Sequence, residues 1–245
     1  MRFLTLITLL FCLVLPMRAQ SDPDWLSIYG LGNSTSTLSS TSSPSGDSIQ
    51  THGAGWAAQI QWKEGWNPDR AVQWPFFEFR SYAQGLNSTT TANWESWSIG
   101  DRYYPNWSAF KYEKIRIGFV GAVGRLVGTN TVQATTSTAG GVTTTTTATS
   151  SNSVYGGQGR VALRMDRIER NDPASGSWAE FGCMWDPIIG EDNIYLTGHY
   201  IVFGRKSLQV FLEPTTNFHM GSGAKQKDQF SLYYGVKFSL GSLLQ

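Results

Sequence analysis

An all-β fold, closed into an antiparallel up-and-down transmembrane barrel, is what this 245-residue sequence predicts. Three observations predict it. Between Phe230 and Leu240, Phe230, Leu232, Tyr234, Val236, Phe238 and Leu240 share one parity, against Ser231, Tyr233, Gly235, Lys237 and Ser239. Successive side chains of a strand point to opposite faces, so this segment has one apolar and one mostly polar face. It is also about as long as a strand crossing a bilayer at a tilt, roughly 9–11 residues. Strand-like stretches recur along the whole chain, and no amphipathic helix pattern of useful length interrupts them. Finally, charged residues are 15% of the total and aromatics 13%, where soluble domains carry about 25% charged.

Bulk composition agrees with that architecture. Hydrophobic residues make up 40%, too few for a helical membrane protein but suited to a barrel with a polar interior. A formal net charge of +1 gives no reason to expect a nucleic-acid partner.

The first element is an export signal over residues 1–19, followed by a single barrel domain over 20–245. Arg2 supplies the positive region, Phe3 to Leu15 the apolar core, and Pro16-Met17-Arg18-Ala19 the cleavage region. Cys12 falls within the signal, so only Cys183 remains afterwards and no internal disulfide is possible. The chain must be held by its sheet instead.

Ten strands are predicted, over about 25–33, 53–63, 72–85, 93–104, 112–127, 155–169, 177–186, 194–204, 207–213 and 229–240. Eight is the other count, because 93–104 and 207–213 alternate less regularly. Both termini belong on the short-turn side, which requires an even number. Two connections are long Ser/Thr tracts, Ser34 to Gln50 and Thr129 to Ser153, predicted as mobile outer loops because they hold too few large apolar residues to bury. Within the second, Val142 to Ser150 has the β propensity to extend a hairpin beyond the membrane. The alternate connections, such as residues 64–69 and 171–176, are compact, so long loops and short turns segregate.

The facing pattern places charges inside. Trp56, Ala58, Ile60 and Trp62 oppose Gln59, Gln61 and Lys63; Ile115, Ile117, Phe119 and Val123 oppose Lys114, Arg116 and Gly118. Val161, Leu163 and Met165 oppose Arg160, Arg164 and Asp166, and Ala179, Phe181, Cys183 and Trp185 oppose Glu180. Candidate lumen charges are therefore Glu78, Arg80, Lys114, Arg116, Arg160, Arg164, Asp166, Glu180 and Lys237. Paired charges are tolerated in a confined interior where unpaired ones are strongly penalised. Arg116, Arg160 and Arg164 are expected to pair with Glu78, Asp166 and Glu180. Trp56, Trp62, Trp66, Trp74, Trp94, Trp97, Tyr103, Tyr104, Trp107 and Tyr112 cluster towards strand ends, as in the aromatic girdles of a membrane boundary.

By its closing strand and export signal, the chain resembles bacterial outer-membrane β-barrel proteins of the small up-and-down type. The resemblance implies residence in the outer membrane, with membrane lipid and the barrel-insertion machinery as partners. It departs from the family pattern at its end, where the chain runs on from Phe238 to Gln245 instead of stopping at an aromatic residue.

Little in the sequence points to chemistry. His52, His199 and His219 are dispersed, with no partner at metal-ligand spacing. No phosphate loop, nucleophile elbow or dinucleotide fingerprint is present, so no cofactor is expected. His199 shares parity with Tyr195 and Thr197 and is read as a hydrogen-bonded lumen residue. The expected function is structural and surface-exposed, or that of a narrow passive pore. Two alternatives come from other classes. One is a barrel enzyme with a rim site, either an omptin-like protease using acids such as Glu191 and Asp192 with His52 or His219, or a lipid A-modifying enzyme. The other is a secreted soluble β-sandwich adhesin.

Overall fold

The computed structural model describes residues 26–37, 49–62, 70–85, 90–106, 115–132, 136–139, 142–145, 150–167, 176–186, 190–205, 207–220 and 228–240. The predicted export segment, Lys114, Trp66, Trp107 and Tyr112 lie outside the described residues. The strands are β1 (Leu26–Thr37), β2 (Ile49–Gln61), β3 (Val72–Gln73), β4 (Phe76–Gly85), β5 (Thr90–Tyr104), β6 (Ile115–Val132), β7 (Thr136–Ala139), β8 (Val142–Thr145), β9 (Ser150–Arg167), β10 (Trp178–Asp186), β11 (Gly190–Arg205), β12 (Leu208–His219) and β13 (Gln229–Ser239).

Ten of them form one antiparallel barrel in the order β1-β2-β4-β5-β6-β9-β10-β11-β12-β13. β13 then returns to β1, from Ser27 opposite Ser239 to Thr37 opposite Gln229. Closure gives backbone groups on both sides of every barrel strand a partner, which an open sheet cannot do. β3 is a two-residue extension paired with the end of β5. β7 and β8 form a separate hairpin within the second Ser/Thr tract, with Ala139 opposite Val142. No helix among the described residues is long and apolar enough to cross a membrane.

All ten predicted strands are present, and most run further than the alternation suggested. β6 and β9 pair without a break from Ile115–Arg167 to Val132–Ser150. The strand predicted over 207–213 runs on: β12 carries Pro214 through, opposite Leu232, to His219. One expectation needs correcting: the connections do not sort cleanly by length. The tracts before β2 and β9 do share one end of the barrel, hereafter the loop end. The connections 86–89 and 187–189 at that same end are short, while 105–114 at the opposite, turn end is longer.

Polarity is inverted relative to a soluble domain. Phe203 is 74% exposed, Val161 69% and Val123 64%, and Ile99, Phe119, Leu163, Phe181, Leu196, Phe230 and Phe238 also face out. The inward faces carry Arg, Glu, Gln, Ser and Tyr. A register shift in β11 between Ile201 and Phe203 turns Val202 and Phe203 both outward while Ile201 stays buried. Trp56, Trp97 and Tyr103 face out, but Trp74 and Tyr104 do not. They are fully buried inside the barrel, and Trp94 lines the lumen, so these three do not belong to a girdle.

The seam between β13 and β1 depends on a missing side chain. A methyl group at Gly235 would collide with the Gly30 carbonyl oxygen and stand 3.3 Å from the Phe211 ring, whereas one at Gly30 would meet nothing within 4 Å. Gly235→Ala is expected to destabilise the barrel by about 1–3 kcal/mol, the usual range for overpacking, while Gly30→Ala stays near wild type. Urea unfolding of the refolded protein, followed by tryptophan fluorescence, measures both; equal midpoints would disprove the seam contact.

Candidate functional site

The lumen is filled in layers, and the lowest is an aromatic cap at the turn end. The chain between β3 and β4 bonds to β5 in both directions, Trp74 N–H to the Arg102 carbonyl at 2.9 Å and Arg102 N–H to the Trp74 carbonyl at 3.2 Å. That pairing turns the indole inward against Tyr104, with centroids 4.6 Å apart, and Val72 packs beside them. Arg116 lies over the Tyr104 ring at 5.2 Å and donates to the Arg70 carbonyl at 3.0 Å.

Above the cap sits a saturated charge cluster. Arg164 Nε and Nη2 both donate to the Asp166 carboxylate at 2.8 Å, and Nη1 donates to Glu180 Oε1 at 2.5 Å. The Tyr104 hydroxyl donates to Asp166, and the Tyr195 hydroxyl to Glu180 Oε2 at 3.1 Å. Arg164 also lies 4.2 Å over the Trp178 ring. Beside this cluster, Arg102 gives Nη1 to Gln61 Oε1 at 2.8 Å and covers the Phe76 ring at 4.3 Å. Phe76, Val120, Ala122, Ala162 and Tyr195 make an apolar packing layer inside the barrel. The cap, the cluster and this layer together block the turn-end half.

A second network crosses the lumen. Arg80 Nε donates to Glu78 Oε1 at 2.6 Å, and Nη1 reaches Glu213 Oε1 at 3.5 Å. The other Glu213 oxygen lies 3.0 Å from His199 Nδ1. The imidazole is sandwiched between Phe211, at 4.6 Å, and the nearly parallel indole of Trp178, at 5.5 Å. Tyr29 meets Phe211 edge-on and donates its hydroxyl to Gln59 Oε1 at 2.9 Å, while Lys237 Nζ sits 5.8 Å over its ring.

Towards the loop end the interior opens into a cavity of about 180 Å3. Glu78, Arg80, Arg160 and Glu213 form its base, and Trp94, Thr197, Thr215, Asn217, Ser231 and Tyr233 stand among its walls.

Of the nine charges singled out from sequence, the structure puts Glu78, Arg80, Arg116, Arg160, Arg164, Asp166, Glu180 and Lys237 on inward faces, and Lys114 is outside the described residues. The expected pairing is only partly as read. Arg164 takes Asp166 and Glu180, but Glu78 goes to its own-strand neighbour Arg80, and Arg116 binds a carbonyl. Arg160 makes no ion pair among the described residues. Arg102, Tyr104, Tyr195 and Glu213 were not foreseen as partners. Their inward parity was available in the sequence, whereas Arg80–Glu213 and Arg102–Gln61 join strands far apart in the chain. No metal-ligating cluster occurs among the described residues. His52 is exposed on β2, and the side chains of Glu191, Asp192 and His219 are outside the described set.

No protein-family model matches the chain, and no curated protein does. Among solved structures it is similar to the translocator domain of the autotransporter NalP from Neisseria meningitidis, at 10% identity and TM-score 0.39 over 96% of this chain and 94% of that one. It is also similar to neisserial surface protein A, at 9% identity and TM-score 0.34 over 87% and 96%. A third is the outer-membrane protease OmpT from Escherichia coli, at 9% identity and TM-score 0.31 over 89% and 97%.

Removing one acid from the saturated cluster leaves Arg164 Nη1 and the Tyr195 hydroxyl unpartnered. Glu180→Ala is therefore expected to lower stability by about 3–5 kcal/mol, as when a buried pair loses one member. Arg164→Met with Glu180→Met and Asp166→Asn should recover much of the loss. Unfolding midpoints of the two proteins in the same detergent decide it; a Glu180→Ala midpoint equal to wild type would show that the cluster carries no stability.

Proposed function

We propose that the chain is an integral outer-membrane β-barrel that serves as a structural, surface-exposed scaffold, with a lumen sealed at its turn end. The inverted polarity carries this reading: apolar side chains face outward around the barrel while Arg164, Asp166, Glu180 and Glu213 are enclosed. A soluble sandwich needs the opposite arrangement, since it buries its apolar faces. A bilayer accepts a closed sheet because no backbone donor or acceptor is left facing lipid. The export signal read at residues 1–19 belongs to the same proposal, as does insertion by the barrel-assembly machinery.

The surface role rests on strand length. β6 and β9 have 18 residues each, against roughly 9–11 needed to cross at a tilt. Their loop-end portions, together with β7 and β8, would therefore stand clear of the bilayer. Tags near Ser42 and Thr145 should react on intact cells, while one near Asp69 should be protected. The reverse pattern would mean that the barrel is inverted.

A narrow pore is the second reading, and the blocked turn end makes its conductance small. The inward set among the described residues includes Arg80, Arg102, Arg116, Arg160, Arg164 and Lys237 against Glu78, Asp166, Glu180 and Glu213, so any current should favour anions. Planar-bilayer recordings of the purified protein test this. Large, stable, cation-selective openings would overturn the sealed lumen.

Lipid contact has its own test. Leu232→Arg or Val236→Arg should impair insertion, because a cation facing lipid at mid-membrane costs about 2–4 kcal/mol. Ser231→Arg projects into the loop-end cavity and should be milder. Equal yields of heat-modifiable protein from all three would refute the outward placement of Leu232 and Val236.

A further inference from the structure

The loop-end cavity holds unused recognition chemistry. Arg80, Arg102 and Arg164 each have an acid or amide acceptor within the lumen. Arg160 has no such bond: the Glu180 and Glu78 charges lie near it, but its Nε is buried without a hydrogen-bond partner, and its ring contact is Phe76 at 5.7 Å. Acceptors line the same cavity from other strands. Asn217 is 3% exposed with its Oδ1 unpartnered, and Glu78 makes its one hydrogen bond among the described residues, to Arg80, through Oε1. A buried polar atom is tolerated only when something satisfies it, and Arg160 and Asn217, which hold such atoms, line one space with Glu78.

That space is closed below by Phe76, Val120, Ala122, Ala162 and Tyr195, which makes it a cup rather than a passage. At about 180 Å3 it is smaller than the ~300–1,000 Å3 sites that enclose drug-sized ligands. An isolated anion would meet Arg160 but also the Glu78 and Glu213 carboxylates beside it; an isolated cation would meet Arg80 and Arg160. A solute carrying both charges a few bonds apart satisfies both sides.

We propose that this cup binds a small zwitterion of the α-amino-acid class, its carboxylate on the Arg160 guanidinium and its ammonium on Glu78. Guanidinium and carboxylate match as planar, two-pronged partners. Binding from the outer side needs no conduction. The inference rests on the blocked floor described above, but the measurement below does not depend on current through the barrel.

The test is calorimetric titration of the full-length barrel in detergent with L-alanine and L-glutamine, and with acetate, methylammonium and sucrose as probes of the separate parts. Saturable binding of an amino acid is expected, with acetate and methylammonium much weaker. Arg160→Gln and Glu78→Gln should each weaken it by about ten- to a hundredfold, the range for losing a charge-assisted pair. Arg160→Lys keeps the charge and guards against misfolding; with heat-modifiable mobility intact, it should still lose affinity because the fork is gone. Acetate binding as tightly as alanine, with no sensitivity to Glu78→Gln, would reduce the cup to an anion site and overturn the proposal. So would the absence of binding by any amino acid to folded protein. Ohmic conductance through the barrel alongside intact binding would instead count against the sealed lumen.

Discussion

The sealed half of the lumen is arranged around the Arg164 guanidinium. It spans two adjacent strands, holding Asp166 on its own and Glu180 on β10, and both acids pass the link on to tyrosines from β5 and β11. Enclosed with 4% of its surface exposed, such a cation survives only when nearly every donor is matched. The tyrosines help because a phenol supplies a hydrogen bond at one end and apolar bulk at the other. Tyr104 thus serves the charge cluster and the Trp74 cap at once, and Tyr195 serves the cluster and the Phe76 layer. Packing and charge neutralisation in this barrel are done by the same side chains.

Above that level the logic changes. Arg80 is divided between Glu78 and Glu213, and Glu213 is divided again with His199. The imidazole gains little freedom from this, clamped as it is between Trp178 and Phe211. Higher still, apolar filling gives way to hydroxyls and amides. The change from tightly packed to polar-lined runs along the barrel axis, and it gives the two ends different properties although the same ten strands build both.

The fold was legible because period-two alternation survives in most of the strands that have to separate lipid from lumen. Phe230 to Leu240 shows it most clearly. Strand ends were less legible, since Asn33 to Thr37 or Gly128 to Val132 lie where neither face needs to be apolar, so the pattern fades while the ladder continues. The inward face of β5 hid Arg102 for a related reason: Trp94 and Tyr104 share its parity, and an aromatic at each end looks like a lipid face. Trp74 was misassigned because an amphipathic ring near a strand end suits a membrane boundary and a lumen cap equally well. Partner choice was not legible at all. Which acid Arg80 or Arg164 takes depends on strand tilt and register, neither of which a single sequence expresses.

The pairing of Ser27 with Ser239 has a kinetic consequence. The two edges of the final seam come from opposite extremes of the barrel's sequence, so the most non-local contact is also the one that removes the last open edge. Contacts of such separation form slowly because a long loop must close before anything is gained. Until β13 arrives, β1 presents an unpaired ladder flanked by apolar side chains, the combination that invites association with other chains. Assembly of this barrel is therefore governed by how long β1 can be kept waiting.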